Sequence, residues 1–105
     1  MKGLGDMGHL LRQAKQLQEQ LQSKQAEIQE LKLAASAGGG MVTATVSGTG
    51  ELIDLSLERE VVDPNDIEML TDLIIAAVQQ AQAAARSKSE EILGPLAQGM
   101  GMPRP

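Results

Sequence analysis

The sequence contains no phenylalanine, tyrosine, tryptophan or cysteine among its 105 residues. Aromatic side chains normally contribute large buried areas, so a purely aliphatic core is thin for one small domain. We therefore expect two copies of the chain to pool their apolar faces in a homodimer. The absence of aromatic rings also excludes the stacking platforms that bind single-stranded nucleic acid.

Reactive side chains are equally scarce. Without cysteine the chain has no disulfide and no thiolate nucleophile. The single histidine, His9, lies in a glycine-containing N-terminal stretch, where we expect an ordinary exposed side chain. A zinc ion would have to be held by carboxylates and this one imidazole, which is an unusual ligand set. We expect no enzymatic activity, no metal site, no cofactor and no small-molecule substrate.

Two motifs suggest ligand sites but lack the required residues. A calcium-binding EF-hand loop starting at Asp63 needs glycine at its sixth position and glutamate at its twelfth, where Glu68 and Ile74 stand. The glycine run 38–40 precedes a predicted strand, whereas a phosphate-binding loop leads into a helix. We interpret the acidic residues as helix caps and the glycines as a turn.

Long apolar runs are also missing. None approaches the roughly 20 residues that cross a bilayer, and residues 1–6 lack the apolar core of a signal peptide, so we expect a soluble cytoplasmic protein. The net charge is −5 and the sequence pI is about 4.7, which argues against a generally basic, nucleic-acid-binding surface. The acid is concentrated, because residues 51–72 hold eight carboxylates and one cation, Arg59.

The hydrophobic spacing predicts an α+β fold with a small antiparallel sheet between two long helices. From Met7 to Leu31 apolar residues recur every three or four positions, as in a coiled-coil seam, with Lys24 the one polar member. Alternation predicts strands at 41–47 and 51–57, with a hairpin turn at 48–50. Residues 32–37 are expected to form a short first strand, and the alternative for this alanine-rich segment is a continuation of the first helix. In the third strand the inward residues are expected to be Ile53, Leu55 and Leu57.

The second helix is predicted to begin at Asp63-Pro64, with Asp63 as the N-cap, and to end before Gly94-Pro95. Residues 1–95 then form one domain and 96–105 a flexible tail. The helical residues expected to form the core or the dimer seam are Leu10, Leu17, Leu21, Ile28, Ile67, Leu70 and Ile74.

Three stretches of the chain resemble the YbaB/EbfC family of nucleoid-associated proteins. They are residues 7–18 (MGHLLRQAKQLQ), 37–48 (AGGGMVTATVSG) and 62–77 (VDPNDIEMLTDLIIAA). Their order and spacing extend the resemblance over nearly the whole chain. The resemblance implies a tweezer-like homodimer whose projecting helices hold duplex DNA in the nucleoid, and thereby affect DNA organisation and gene expression.

The family's DNA contacts are assigned to its helices, so the resemblance points to Arg12 and Lys15 in the first matched stretch. Arg86 and Lys88 are added as DNA-binding candidates from their charge alone. The alternative is a protein–protein adaptor that docks a partner through its coiled-coil-like helix or its acidic middle.

Overall fold

The structure is a computed structural model that describes residues 2–99, and the side chains of residues 6–97. The chain runs through two helices and three strands: α1 (Lys2–Glu30), β1 (Lys32–Ala37), β2 (Val42–Ser47), β3 (Leu52–Leu57) and α2 (Ile67–Gly99). A short 3-10 helix, Arg59–Val61, lies between β3 and α2. The predicted α+β fold is confirmed, and α1 begins five residues before the predicted apolar pattern.

The three strands form one antiparallel sheet in the order β1-β2-β3. The β1–β2 connection contains Gly38, Gly39 and Gly40, all with positive φ, a conformation that glycine adopts without steric cost. The β2–β3 connection is a tight turn in which the Gly50 N–H donates to the Ser47 carbonyl at 2.9 Å. Both turns were predicted from the sequence, and both are confirmed.

The core lies between α2 and the first two strands of the sheet. Val42, Ala44 and Val46 of β2 are completely buried, as their alternation predicts. Alanines on α2 let the helix lie close to these valines, and half-buried Leu70 and Ile74 pack around the same cluster. The buried apolar residues of the described chain are Ile28, Val42, Ala44, Val46, Val61, Ala77, Ala81 and Ala85.

Strand β3 departs from the prediction. Its pairing with β2 shifts between Thr45 and Val46, so that Val46 pairs with Leu52 and Ile53 becomes an extra residue. Such a bulge interrupts the alternation of side chains between the two faces of a sheet. The expectation that Ile53 faces inward was therefore wrong, and its side chain is 49% exposed. Leu55 is half-buried and packs against the core, while Leu57 is 38% exposed.

The start of α2 also differs from the prediction. Asp63 accepts a hydrogen bond from the backbone N–H of Asn65 at 2.9 Å and so stabilises a turn, not the helix. The capping carboxylate is Asp66, which accepts from the N–H of Met69 at 3.2 Å, the N-cap geometry. Asp63 and Asp66 are three positions apart in the sequence. The first stabilises the turn at Pro64, and the second caps the helix.

The end of α2 was predicted too early. The helix continues through Gly94 and Pro95 to Gly99. Proline removes one helical hydrogen bond and usually ends or kinks a helix. Here Pro95 and Leu96 line a depression together with Leu10 and Leu17 of α1, so the helix end lies beside α1, a proximity that the local sequence does not reveal. The proposed tail therefore shares Leu96–Gly99 with α2, and residues 100–105 lie outside the described range. Neither helix, over the described residues, is long and apolar enough to cross a membrane.

Candidate nucleic-acid interface

Helices α1 and α2 lie side by side in opposite directions. Near the sheet, Ile28 of α1 and Leu93 of α2 line one common depression, and farther out Leu17 of α1 and Leu96 of α2 line another. The described chain is consequently elongated, with a longest dimension of 79 Å. We call α1 together with residues 82–99 of α2 the arm. The sheet, its loops and residues 67–81 of α2 form the body.

An open depression, which we call the basal cleft, lies where the arm meets the body. It has a volume of about 780 Å³ and lies between α1, the β2–β3 turn and α2. Two hydrogen bonds attach α2 to the turn: the Gln82 amide donates to the Gly50 carbonyl at 3.1 Å, and the Ser89 hydroxyl donates to the Gly48 carbonyl at 2.7 Å. The polar side chains lining the cleft are Gln25, Gln29, Thr49, Gln82, Arg86 and Ser89.

Arg12 and Lys15 lie one turn apart on the outer part of α1, and both side chains are exposed. Residues three positions apart share a helix face, so the two cations can reach neighbouring phosphates. The α1 residues that line the outer depression facing α2 include Gln13 and Gln16, which places Arg12 and Lys15 on a different side of the helix. The same face also carries Glu19, which reduces the local positive charge.

Arg86 and Lys88 lie on α2 but have different surroundings. Arg86 lines the basal cleft. Lys88 forms an ion pair with Glu91, with the Lys88 Nζ 3.6 Å from a carboxylate oxygen. Lys24, the polar member of the α1 seam, pairs in the same way with Glu27 at 3.4 Å. Within the described side chains, Arg12, Lys15 and Arg86 form no ion pair.

The four candidate cations are therefore not brought into one patch. Lys15 is ten residues from Gln25, which lines the basal cleft, so about 15 Å of helix separates the two regions. One group is the pair Arg12 and Lys15 on the outer part of α1. The other is Arg86 at the base of the arm, surrounded by glutamine and hydroxyl groups.

The predicted seam residues fall into three groups by burial. Ile28 is 5% exposed and is the one buried side chain within residues 6–30. Leu17, Leu21, Leu70 and Ile74 are half-buried. Leu10 and Ile67 are 60% and 63% exposed, so neither belongs to the core of a single chain. Their place in a dimer seam stays a prediction.

Charge is distributed unequally between arm and body. Residues 2–31 and 82–99 contain six basic and six acidic side chains, so the arm is formally neutral. Residues 32–81 contain eight acidic side chains against Lys32 and Arg59, which gives the body a charge of −6. A polyanion approaching this chain is repelled by the body and meets no net repulsion at the arm.

The basal cleft was not predicted from the sequence. Its polar residues come from three segments far apart in the chain, and no local pattern links them. One signal was available in the hairpin turn 48–50, where a glycine is followed by a threonine and a second glycine. Gly48 marks a close approach between backbones, but the sequence does not show which segment approaches.

Known proteins match this chain over nearly its full length. The model of the YbaB/EbfC DNA-binding family matches residues 2–100. A Rhodococcus opacus protein named "Nucleoid-associated protein" is 48% identical over 99 residues, covering 94% of this chain and 88% of the relative. A Clostridium perfringens protein of the same name is 50% identical over 101 residues, covering 96% and 90%.

A solved structure shares the fold. The crystal structure of an uncharacterized Helicobacter pylori protein superimposes with a TM-score of 0.71 at 20% sequence identity, covering 86% of this chain and 91% of the other. At that identity the likeness concerns the fold alone. The family match and the two relatives carry the assignment, and they confirm the resemblance seen in the three sequence stretches. This chain belongs to the YbaB/EbfC DNA-binding family.

Proposed function

We propose that the chain is a nucleoid-associated protein that binds duplex DNA as a homodimer, along its arm and with little sequence preference. The observation that carries this proposal is the separation of charge between a neutral arm and a body of charge −6. Eight carboxylates cannot lie against phosphates without strong repulsion. Within the arm, Arg12, Lys15 and Arg86 are the cations with described side chains that form no ion pair.

The polar side chains of the arm suit contact with the DNA backbone. Arginine, lysine and glutamine donate hydrogen bonds to phosphate oxygens, and such contacts position a protein without reading the sequence. Seven glutamines lie on α1, at positions 13, 16, 18, 20, 22, 25 and 29. Few cations mean few released counterions, so we expect weak binding with a modest dependence on salt.

The homodimer is supported by the uncovered third strand. Helix α2 packs across β1 and β2, while Leu52, Ile53 and Leu57 of β3 are each more than a third exposed. An edge strand with exposed apolar residues is a natural pairing surface for another chain. A second copy, bound through β3, covers these residues and enlarges a core that contains no aromatic side chain.

The location follows from the names of the relatives. Both bacterial relatives described above are named nucleoid-associated proteins. We infer that this chain acts in the cytoplasm on nucleoid DNA, and that its binding influences nucleoid organisation and gene expression. The family is named for DNA binding and not for a reaction, which agrees with the expectation of a non-enzymatic protein.

A gel shift with random-sequence duplex at low and moderate salt tests the proposal. We expect a retarded complex at low salt that weakens as salt rises. The adaptor alternative is favoured by Met7, Leu10 and Leu11, which are 59%, 60% and 69% exposed on α1. A protein that stays folded and dimeric but binds no duplex at low salt contradicts the proposal and supports the adaptor.

A further inference from the structure

Gly48, at the start of the β2–β3 turn, contacts both helices of the arm. Its own backbone is buried. On one side, a Cβ atom at this position would overlap the Ile28 carbonyl oxygen and would lie 2.8 Å from the Ile28 Cγ2. On the other side, the Gly48 carbonyl accepts the hydroxyl hydrogen bond of Ser89 at 2.7 Å. Gly48 thus packs against Ile28 of α1 and accepts a hydrogen bond from Ser89 of α2.

Ile28 is the buried residue of α1 that lies against the β2–β3 turn. Ile28 is the one buried side chain of residues 6–30, yet it does not belong to the core cluster formed by β2, α2 and Val61. Its carbonyl also accepts the Leu31 N–H at 3.1 Å at the end of the helix. A side chain at position 48 would therefore press on the carbonyl that closes the last turn of α1.

We propose that Gly48 is a positioning residue for DNA binding, because it sets the separation of α1 and α2 and hence of their cations. This inference rests on the proposed function, since it concerns how the arm presents Arg12 and Lys15 relative to Arg86. Gly48 itself contacts no DNA. Substitution by alanine forces α1 away from the turn by about 1 Å, since carbon atoms in contact lie about 3.5–4.0 Å apart.

The test compares Gly48→Ala with Gly8→Ala, a control on α1 where a Cβ meets nothing within 4 Å. The chain has no cysteine, so Gln18→Cys and Ala83→Cys, both at exposed positions, allow two spin labels to be attached specifically. Labelled protein is mixed with excess unlabelled protein so that almost every labelled chain pairs with an unlabelled one. The distance between labels is then measured for each variant, and the affinity for random duplex is measured on the same variants with Gln18 and Ala83 restored.

Gly48→Ala is expected to shift the label distance by about 1 Å or more, or to broaden its distribution. The affinity for duplex is expected to fall about tenfold, because one hydrogen bond between a cation and a phosphate is lost. Gly8→Ala is expected to change neither value. An unchanged distance, or a changed distance with unchanged affinity, would overturn the proposal.

A second pair of variants covers the case in which Gly48→Ala does not fold. Ser89→Ala removes the hydrogen bond to the Gly48 carbonyl without adding bulk, and Ser87→Ala changes an exposed serine two residues away. Ser89→Ala is expected to broaden the label distance and weaken DNA binding several-fold, and Ser87→Ala to do neither. Equal effects of the two would overturn the proposal. If the unsubstituted protein binds no duplex, the proposed function fails. The label distances still report whether Gly48 determines the separation of α1 and α2.

Discussion

Two cations on the same helix, Arg86 and Lys88, differ in what surrounds them. Arg86 lines the basal cleft, beside Gln82 and Ser89, and forms no ion pair among the described side chains. Lys88 is already paired with Glu91. Exposed pairs of this kind contribute little to stability, but the neighbouring carboxylate reduces the attraction of a phosphate. Equal formal charge therefore does not mean an equal contribution to binding.

We predict that Arg86→Gln weakens duplex binding more than Lys88→Gln does. Loss of a charged hydrogen bond to phosphate corresponds to about a tenfold fall in affinity, whereas loss of the paired lysine is expected to have less than about a threefold effect. Fluorescence anisotropy with labelled duplex at fixed salt measures both, and each variant acts as the charge-matched control of the other. Equal losses would contradict a special role for Arg86.

The helix cap of α2 depends on a single carboxylate. We predict that Asp66→Ala lowers the free energy of unfolding by about 1 kcal/mol, because the Met69 N–H loses its partner. Asp66→Asn is the matched control, since asparagine caps helices equally well and removes the same charge. Urea unfolding followed by circular dichroism measures both variants. A loss of stability in Asp66→Asn as large as in Asp66→Ala would show that charge, and not the cap, is responsible.

Among the elements, those with a strong local pattern could be predicted from the sequence. Val42, Ala44 and Val46 alternate without interruption, and each of them is buried. The errors fall where distant contacts decide the structure. The bulge that moves Ile53 out of the alternation depends on the pairing of two strands, and the passage of α2 through Pro95 depends on α1 lying beside it. The basal cleft depends on three separate segments, and its one signal in the sequence, Gly48 in the hairpin turn, does not identify the segments that approach it.

Strand β3 is the element expected to join two copies. We predict that Leu52→Glu, which places a charge on this uncovered edge strand, shifts the protein from dimer to monomer or unfolds it. Ala34→Glu is the control, because Ala34 is an exposed residue of β1, at the opposite edge of the sheet. Sedimentation equilibrium at micromolar concentration distinguishes the states. A stable dimer of Leu52→Glu, or loss of the dimer in Ala34→Glu, would place the interface elsewhere.

The acidic body is expected to direct DNA toward the arm. We predict that Glu58→Gln together with Glu60→Gln leaves duplex affinity unchanged or slightly raised, because both carboxylates belong to the body, where they would repel phosphate. The double variant is compared with the parent protein in the same salt, after circular dichroism has confirmed the fold. A marked loss of affinity would mean that DNA lies against the body.

The orientation of the molecule on DNA is tested most directly by a salt titration of duplex binding. The parent protein is compared with Arg12→Gln/Lys15→Gln on the arm and with the charge-matched Lys32→Gln/Arg59→Gln on the body. If a dimer neutralises about four phosphates through Arg12 and Lys15, the log–log salt slope is near −4. The arm variant is expected to lose both affinity and most of this slope, while the body variant keeps them. An undiminished slope in the arm variant, or an equal loss in the body variant, would contradict binding along the arm.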